Sequence, residues 1–412
     1  MKKFILLIQV VFFFITLTDA FSQWYPQPSG TTNGLSGVCF TDANNGTAVG
    51  GYGTILRTTN GGADWTLQSS GTTESLYDVS FTDADNGTAV GFYGTILRTT
   101  NGGINWTAQS SGTINPLQSV SFTDANTGTA VGDIHTILRT TNGGTNWFPQ
   151  LSGTIYWLKG VFFIDENTGT VVGSSFGEGT IHKTTNGGSS WFPQISGITN
   201  WLQDVSFTDV NNGTVVGGGG TILRTTNGGT NWNQQISGTS YTLNDVSFID
   251  AQTGWTVGGD YANSIILKTT NSGTNWTQQN TGTTNWLLGV SFTDVDNGTA
   301  VGANGTILRT TNGGVFAKQI SSEIPERFSL YQNYPNPFNP TTNIRFEIPR
   351  TSLVKLIVYD ILGREVATLV NENLSAGSYE VEWSGVGYPS GVYFYKLITN
   401  KFSSVKKMVL IK

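Results

Sequence analysis

The chain is short of the residues that carry covalent and metal chemistry. One cysteine and two histidines occur among 412 residues, so an internal disulfide is excluded and a Cys/His metal centre has no ligand set to draw on. Charge is also sparse, at 12% of residues. The net −6 divides into +1 for residues 1–22, −10 for 23–330 and +3 for 331–412. An acidic body of this kind argues against nucleic acid or an anionic membrane as the main partner. Long apolar runs are missing beyond Phe4–Leu17, which follows Met1-Lys2-Lys3 and precedes Ala20-Phe21-Ser22. That run is shorter than the roughly 20 residues of a spanning helix. Residues 1–22 are therefore expected to be a secretory signal peptide, with no membrane insertion of the mature chain. No segment has helical periodicity.

What is plentiful is glycine, with 53 residues, and tryptophan, with 12, and most of them recur at a fixed spacing. Val-x-Phe-x-Asp begins at Val38, Val79, Val120, Val161, Val205, Val246 and Val290. Gly-x-x-Val-Gly follows from Gly46, Gly87, Gly128, Gly169, Gly213, Gly254 and Gly298, and Thr-Thr-Asn-x-Gly from Thr58, Thr99, Thr140, Thr184, Thr225, Thr269 and Thr310. The interval is 41 residues, stretched to 44 twice, which is the length of a four-stranded propeller blade.

Within the second copy, Leu76–Phe81 alternates as an innermost strand A. Strand B is expected at Thr88–Gly91, strand C at Thr95–Thr99, and strand D from Trp106, after the turn Asn101-Gly102-Gly103. The seventh copy has Ala317 where the others have the strand-D tryptophan. Trp24-Tyr25-Pro26-Gln27-Pro28-Ser29-Gly30-Thr31 instead matches Trp147–Thr154, so the N-terminal strand is expected to complete the last blade. Val315–Ile320 is the competing segment. The prediction is an all-β chain: a seven-bladed β-propeller closed by the N-terminal strand over 23–317, a linker at 318–330, and a small β-sandwich at 331–412. Short alternating strands at Val354–Tyr359, Tyr379–Trp383 and Val392–Leu397 support the sandwich.

Two resemblances attach to these motifs. Thr58-Thr59-Asn60-Gly61-Gly62-Ala63-Asp64-Trp65 resembles the Asp-box, or BNR repeat, with Asn in place of Asp in every copy. Combined with the other repeat motifs, the chain over roughly 24–317 is similar to propellers of the photosystem II assembly and stability factor family. The second resemblance covers roughly 328–412. Phe328–Pro340, Val358–Val366, Gly391–Tyr395 and Lys406–Lys412 look like the type A sorting domain of the type IX secretion system. This resemblance implies recognition by the type IX secretion machinery and a location outside the cell or on its outer surface, reached through the periplasm.

The repeated polar residues read as parts of the fold. Arg57, Arg98, Arg139, Arg224 and Arg309, with Lys183 and Lys268 in the other two blades, form a regular ring rather than the unrepeated arginine triad of a sialidase. Asp42, Asp83, Asp124, Asp165, Asp209, Asp250 and Asp294 precede glycine turns and read as caps rather than calcium ligands. Cys39 reads as a buried, inert thiol. His135 and His182 have no partner residues for a metal, and no cofactor is expected.

Function is sought where the blades differ. The residue before the strand-A leucine reads Gly34, Ser75, Pro116, Trp157, Trp201, Thr242 and Trp286. The B–C connection gives Tyr52, Tyr93 and two three-residue insertions containing Phe176, Glu178, Asp260 and Tyr261. With Tyr156 and Tyr241, these form an aromatic, mildly acidic set on one propeller face, suited to stacking on a glycan or anchoring a surface protein; the alternative is that the tryptophans plug the central channel or pack on neighbouring loops. The expectation is a non-catalytic binding protein. The alternatives are a sialidase-like glycan-cleaving enzyme and an assembly or stability factor for an envelope complex.

Overall fold

The computed structural model describes residues 24–411 apart from 152, 154–156, 176, 312, 315–316 and 386–387, so the expected signal peptide lies outside the described residues. They fall into two compact units with a boundary after Lys318.

Each of the first six repeats becomes one antiparallel four-stranded sheet. In the second, strand A is Leu76–Phe81, B is Gly87–Gly91, C is Ile96–Thr99 and D is Thr107–Gln109. Strand B is buried throughout because it is covered on both faces by neighbouring sheets. Phe81 pairs with Gly87, and its ring lies so close that a Cβ on Gly87 would meet the Phe81 Cζ at 2.3 Å. The glycine is required for that close approach, since its φ is not positive. On the other side Phe81 meets Trp106 edge-on at 6.0 Å, and the same contact recurs in other blades.

The turns behave as their residues dictate. Asn101 Oδ1 accepts the Asn105 N–H at 3.0 Å, and Thr99 Oγ1 accepts that of Gly103 at 2.9 Å. Asp83 Oδ1 accepts the N–H groups of Asp85 and Asn86, both at 2.8 Å, and these bonds hold its carboxyl below the ordinary value. The repeated aspartates are thus turn caps.

Blade-to-blade bonds come from residues of the same repeat. Tryptophan indoles reach back to a strand-D glutamine of the preceding sheet, as Trp65 to Gln27 at 3.3 Å and Trp147 to Gln109 at 3.2 Å. Arginines reach forward to the next A–B turn: Arg98 donates to the Ala125 carbonyl at 2.7 Å and lies over the Phe122 ring at 5.3 Å. Arg309 makes the same bond to Ala43 at 2.9 Å. Where the sixth copy has Lys268 instead, Trp255 fills the space and stacks on Phe292 with ring centroids 3.5 Å apart.

Consecutive innermost strands adjoin, and the first, Leu35–Phe40, adjoins the last, Leu287–Phe292. The fourth strand of the last sheet is Tyr25–Pro26, paired with Thr306–Thr311 through Tyr25 and Arg309. Trp24 is fully buried beside Phe292 and donates to Gln279 at 3.0 Å.

The C-terminal unit contains two four-stranded sheets. One is built from Lys318–Ser321, Gly377–Ser384, Thr341–Ile348 and Ser329–Leu330; the other from Glu365–Leu374, Ser352–Tyr359, Gly391–Ile398 and Ser403–Leu410. Lys318–Ser321 and Ser329–Leu330, at the two ends of the expected linker 318–330, pair as strands here. Tyr395, fully buried, accepts the Asn333 N–H and donates to the Tyr331 carbonyl, both at 2.8 Å. Asn333 in turn donates to Thr342 Oγ1 at 2.9 Å, so the Tyr-Gln-Asn-Tyr-Pro motif is anchored in the core.

A candidate binding face at the channel mouth

The D–A and B–C connections meet where strand A begins, at one end of the central channel. Their backbones are joined: the Gly218 N–H donates to the Trp201 carbonyl, Ala303 to Trp286 and Phe92 to Ser75, at 2.8–2.9 Å. Each blade thus brings two side-chain positions together, and the chain fills at most one with a large group. Trp157, Trp201 and Trp286 face Ser174, Gly218 and Ala303, whereas Ser75 and Pro116 face Phe92 and Asp133. This complementarity is invisible in either loop read alone.

The candidate residues then separate. Trp157 and Trp201 are 46% and 52% exposed. Trp286 is half-buried, its edge covered by Tyr261 at 5.5 Å, while Tyr261 itself stands free in solvent. Tyr241 is half-buried and packs against the apolar cluster of Val216, Ile222 and Leu243. Glu178 and Asp260 are exposed on separate hairpins, and Asp260 caps its own turn through the Ala262 N–H at 2.9 Å. Tyr52 and Tyr93 are exposed turn tips with φ of 55° and 50°, where Gly219 stands in the fifth blade. Tyr156 and Phe176 lie outside the described residues.

Sequence reasoning missed the channel below this face. Strand A places Asp78, Asp204 and Asp245 in a cavity of about 210 Å³ that Tyr77, Gln118 and Lys159 also line. Each carboxylate joins its blade to the next. Asp78 Oδ2 accepts the Val120 N–H at 2.8 Å and the Ser119 hydroxyl at 2.9 Å; Asp204 accepts from Val246 at 3.1 Å, and Asp245 from Val290 at 2.7 Å. Burial pushes Asp78 up to about 6 against these bonds. Asp204 is raised well above the ordinary value by burial and by Asp245, with which it shares a hydrogen bond. The signal was present as Asp two residues after the strand-A leucine in only three of seven copies.

Among the described residues no group of His, Cys, Asp and Glu is placed to hold a metal. His182 is buried on strand C and pushed down to about 4 by burial, so it is neutral. Cys39 is half-buried beside Val79 and Leu97, and burial pushes its thiol up to about 11.

Repeated four-stranded blades around a channel, followed by a separate β-sandwich carrying the sorting motifs, define an exported β-propeller. The model of photosynthesis system II assembly factor YCF48 matches residues 65–198 and 194–283, more than half of the chain, and this chain belongs to that family. Residues 332–412 match the secretion system C-terminal sorting domain. The protein is therefore handled by the type IX secretion system and delivered to the cell surface or beyond. A structure of YCF48 bound to D1 peptide is similar at 21% identity and a TM-score of 0.60, covering 71% of this chain and 96% of that one. PorZ, an essential bacterial surface component of the type-IX secretion system of Porphyromonas gingivalis, is similar at 12% identity and 0.52, covering 91% and 59%. A GH74 enzyme of Niastella koreensis is similar at 12% identity and 0.57, covering 93% and 67%. These likenesses are of fold. Among curated protein sequences nothing matches.

Proposed function

We propose that this is a non-catalytic binding protein of the cell exterior, a closed seven-bladed propeller that presents its ligand site on the channel-mouth face of blades four and five. The observation that supports it most is the pairing of Trp157 and Trp201 with small partners on the neighbouring turn, which leaves half of each ring open to solvent. Nothing in the repeat asks for tryptophan there, since Gly34, Ser75 and Pro116 occupy the same position in other blades. Buried apolar repacking would have hidden the rings; exposed indoles on the rim fit recognition.

The acids support a binding role over hydrolysis. Asp204 and Asp245 hydrogen-bond to each other, whereas glycosidase carboxyls stand about 5–9 Å apart across the scissile bond. The arginines are committed to turn carbonyls and are not available to hold a substrate carboxylate. The peptide-bound state of YCF48 supports a second reading, in which the ligand is a segment of a surface protein.

The test is the full mature chain against its Trp157→Ala/Trp201→Ala variant on glycan and peptide arrays. Each lost stack removes about 1 kcal/mol, so affinity for the captured ligand should fall about 30-fold while the melting temperature stays within a few degrees. Unchanged affinity would refute the assignment of the face.

A further inference from the structure

We infer that the ligand is an uncharged glycan whose sugar rings stack on Trp201 and Trp157; this rests on the binding-face reading above. The geometry of Trp201 carries it. A Cβ placed on Gly218 would lie 2.6 Å from Cε2, 2.9 Å from Nε1 and 3.0 Å from Cδ2 of that indole. Three ring atoms nearly equidistant from one point mean that the ring lies face-on over the Gly218 backbone. Since the residue is 52% exposed, the opposite face is the open one. The fifth blade alone has Gly218-Gly219-Gly220 in this turn, so a large ring and the bed it rests on occur together. A flat indole with one face supported and the other bare fits the C–H face of a pyranose.

Its surroundings narrow the ligand further. Thr199, Asn200 and Gly219 beside the ring are exposed, and the Asn200 amide is oriented by donating to Thr221 Oγ1 at 2.9 Å. A protein partner's hot spot calls for an enclosed apolar pocket; separate rings among hydroxyls and amides suit a polyhydroxylated chain. Charge removes the acidic sugars. Residues 24–311 contain eight Lys and Arg: Arg57, Arg98, Arg139, Lys159, Lys183, Arg224, Lys268 and Arg309. Seven belong to strand C, where Arg57, Arg98, Arg139, Arg224 and Arg309 bond A–B turn carbonyls, Lys183 the Gly228 carbonyl, and Lys268 lies over Trp255. Lys159 faces the channel and is paired with Asp133 at 3.7 Å. An anionic ligand would meet Glu178, Asp260 and the channel carboxyls, and among the described residues of 24–311 each of the eight cations is already engaged.

Calorimetry on the full mature chain with cellohexaose, xylohexaose, chitohexaose and mannohexaose, and with a hyaluronan oligosaccharide as the anionic control, tests this. At least one neutral oligosaccharide should bind, with an affinity insensitive to salt and with quenching of indole fluorescence. Trp201→Ala should weaken it roughly five- to tenfold and Trp201→Phe less than about threefold. Gly218→Ala, which displaces the ring without removing it, should weaken binding with little change in melting temperature. Failure of every neutral oligosaccharide to bind, or binding only of hyaluronan, overturns the inference. A peptide or other ligand that Trp201→Ala abolishes overturns the glycan assignment and leaves the binding face standing. A neutral glycan bound equally well by Trp157→Ala/Trp201→Ala overturns both.

Discussion

Raising the pH from about 4 to 7 should destabilise the propeller, and the channel aspartates set the size of the effect. Asp78 is enclosed at the blade interface and titrates at about 6, against 3.8 for an ordinary aspartate. Between those values the folded protein holds a proton that the unfolded chain has released. Stability therefore falls as pH rises through this window and levels off above it. A displacement of about 2 units corresponds to at most about 3 kcal/mol from Asp78 alone. Asp204 is shifted in the same direction and adds to the loss as its pair ionises. The caps work the other way: Asp42, Asp83 and Asp209 are held below the ordinary value by turn N–H and side-chain groups, so their contribution is lost only as pH falls below about 4. Stability should peak in mildly acidic solution. Urea melts from pH 4 to 8 measure this, and Asp204→Asn should lessen the fall, since an amide can donate to Asp245 as the protonated acid does. A stability that is constant or rising from pH 5 to 7.5 would refute the reasoning.

Trp24→Ala should cost about 3–5 kcal/mol in thermal or urea melts, because it removes a fully buried indole that joins the N-terminal strand to Phe292 and Gln279. Gly87→Ala should cost at least about 2 kcal/mol, since the added methyl meets the Phe81 ring at 2.3 Å; a neutral result in the same melts would show that ring to be free to move. Cys39 should resist alkylation by iodoacetamide at pH 8 in the native protein and react on unfolding, given a thiol pushed up to about 11. Deleting residues 319–412 should leave a folded propeller inside the cell envelope, checked by fractionation and circular dichroism.

The repeat was legible because each blade solves the same local problem. Asp83, Asn101 and Thr99 act on backbone groups a few residues away, so their spacing alone reveals their work. The sorting domain was readable from its ordered motifs. The strands at either end of 318–330 were not readable, because a two-residue and a four-residue strand carry too little alternation and depend on partners at Gly377–Ser384 and Thr341–Ile348.

The sequence by itself determined the blade, its turns and the acidic, cation-poor character of the chain, since these follow from local hydrogen bonding and composition. Only the tertiary structure decided which aromatics face solvent. Tyr241 and Trp201 differ little as residues, yet one packs on Leu243 and the other lies over Gly218, because loops distant in sequence share one space at the rim. It also decided that Asp78, Asp204 and Asp245, scattered over more than 160 residues, line one channel and join successive blades. Desolvation and shared protons are properties of that enclosure.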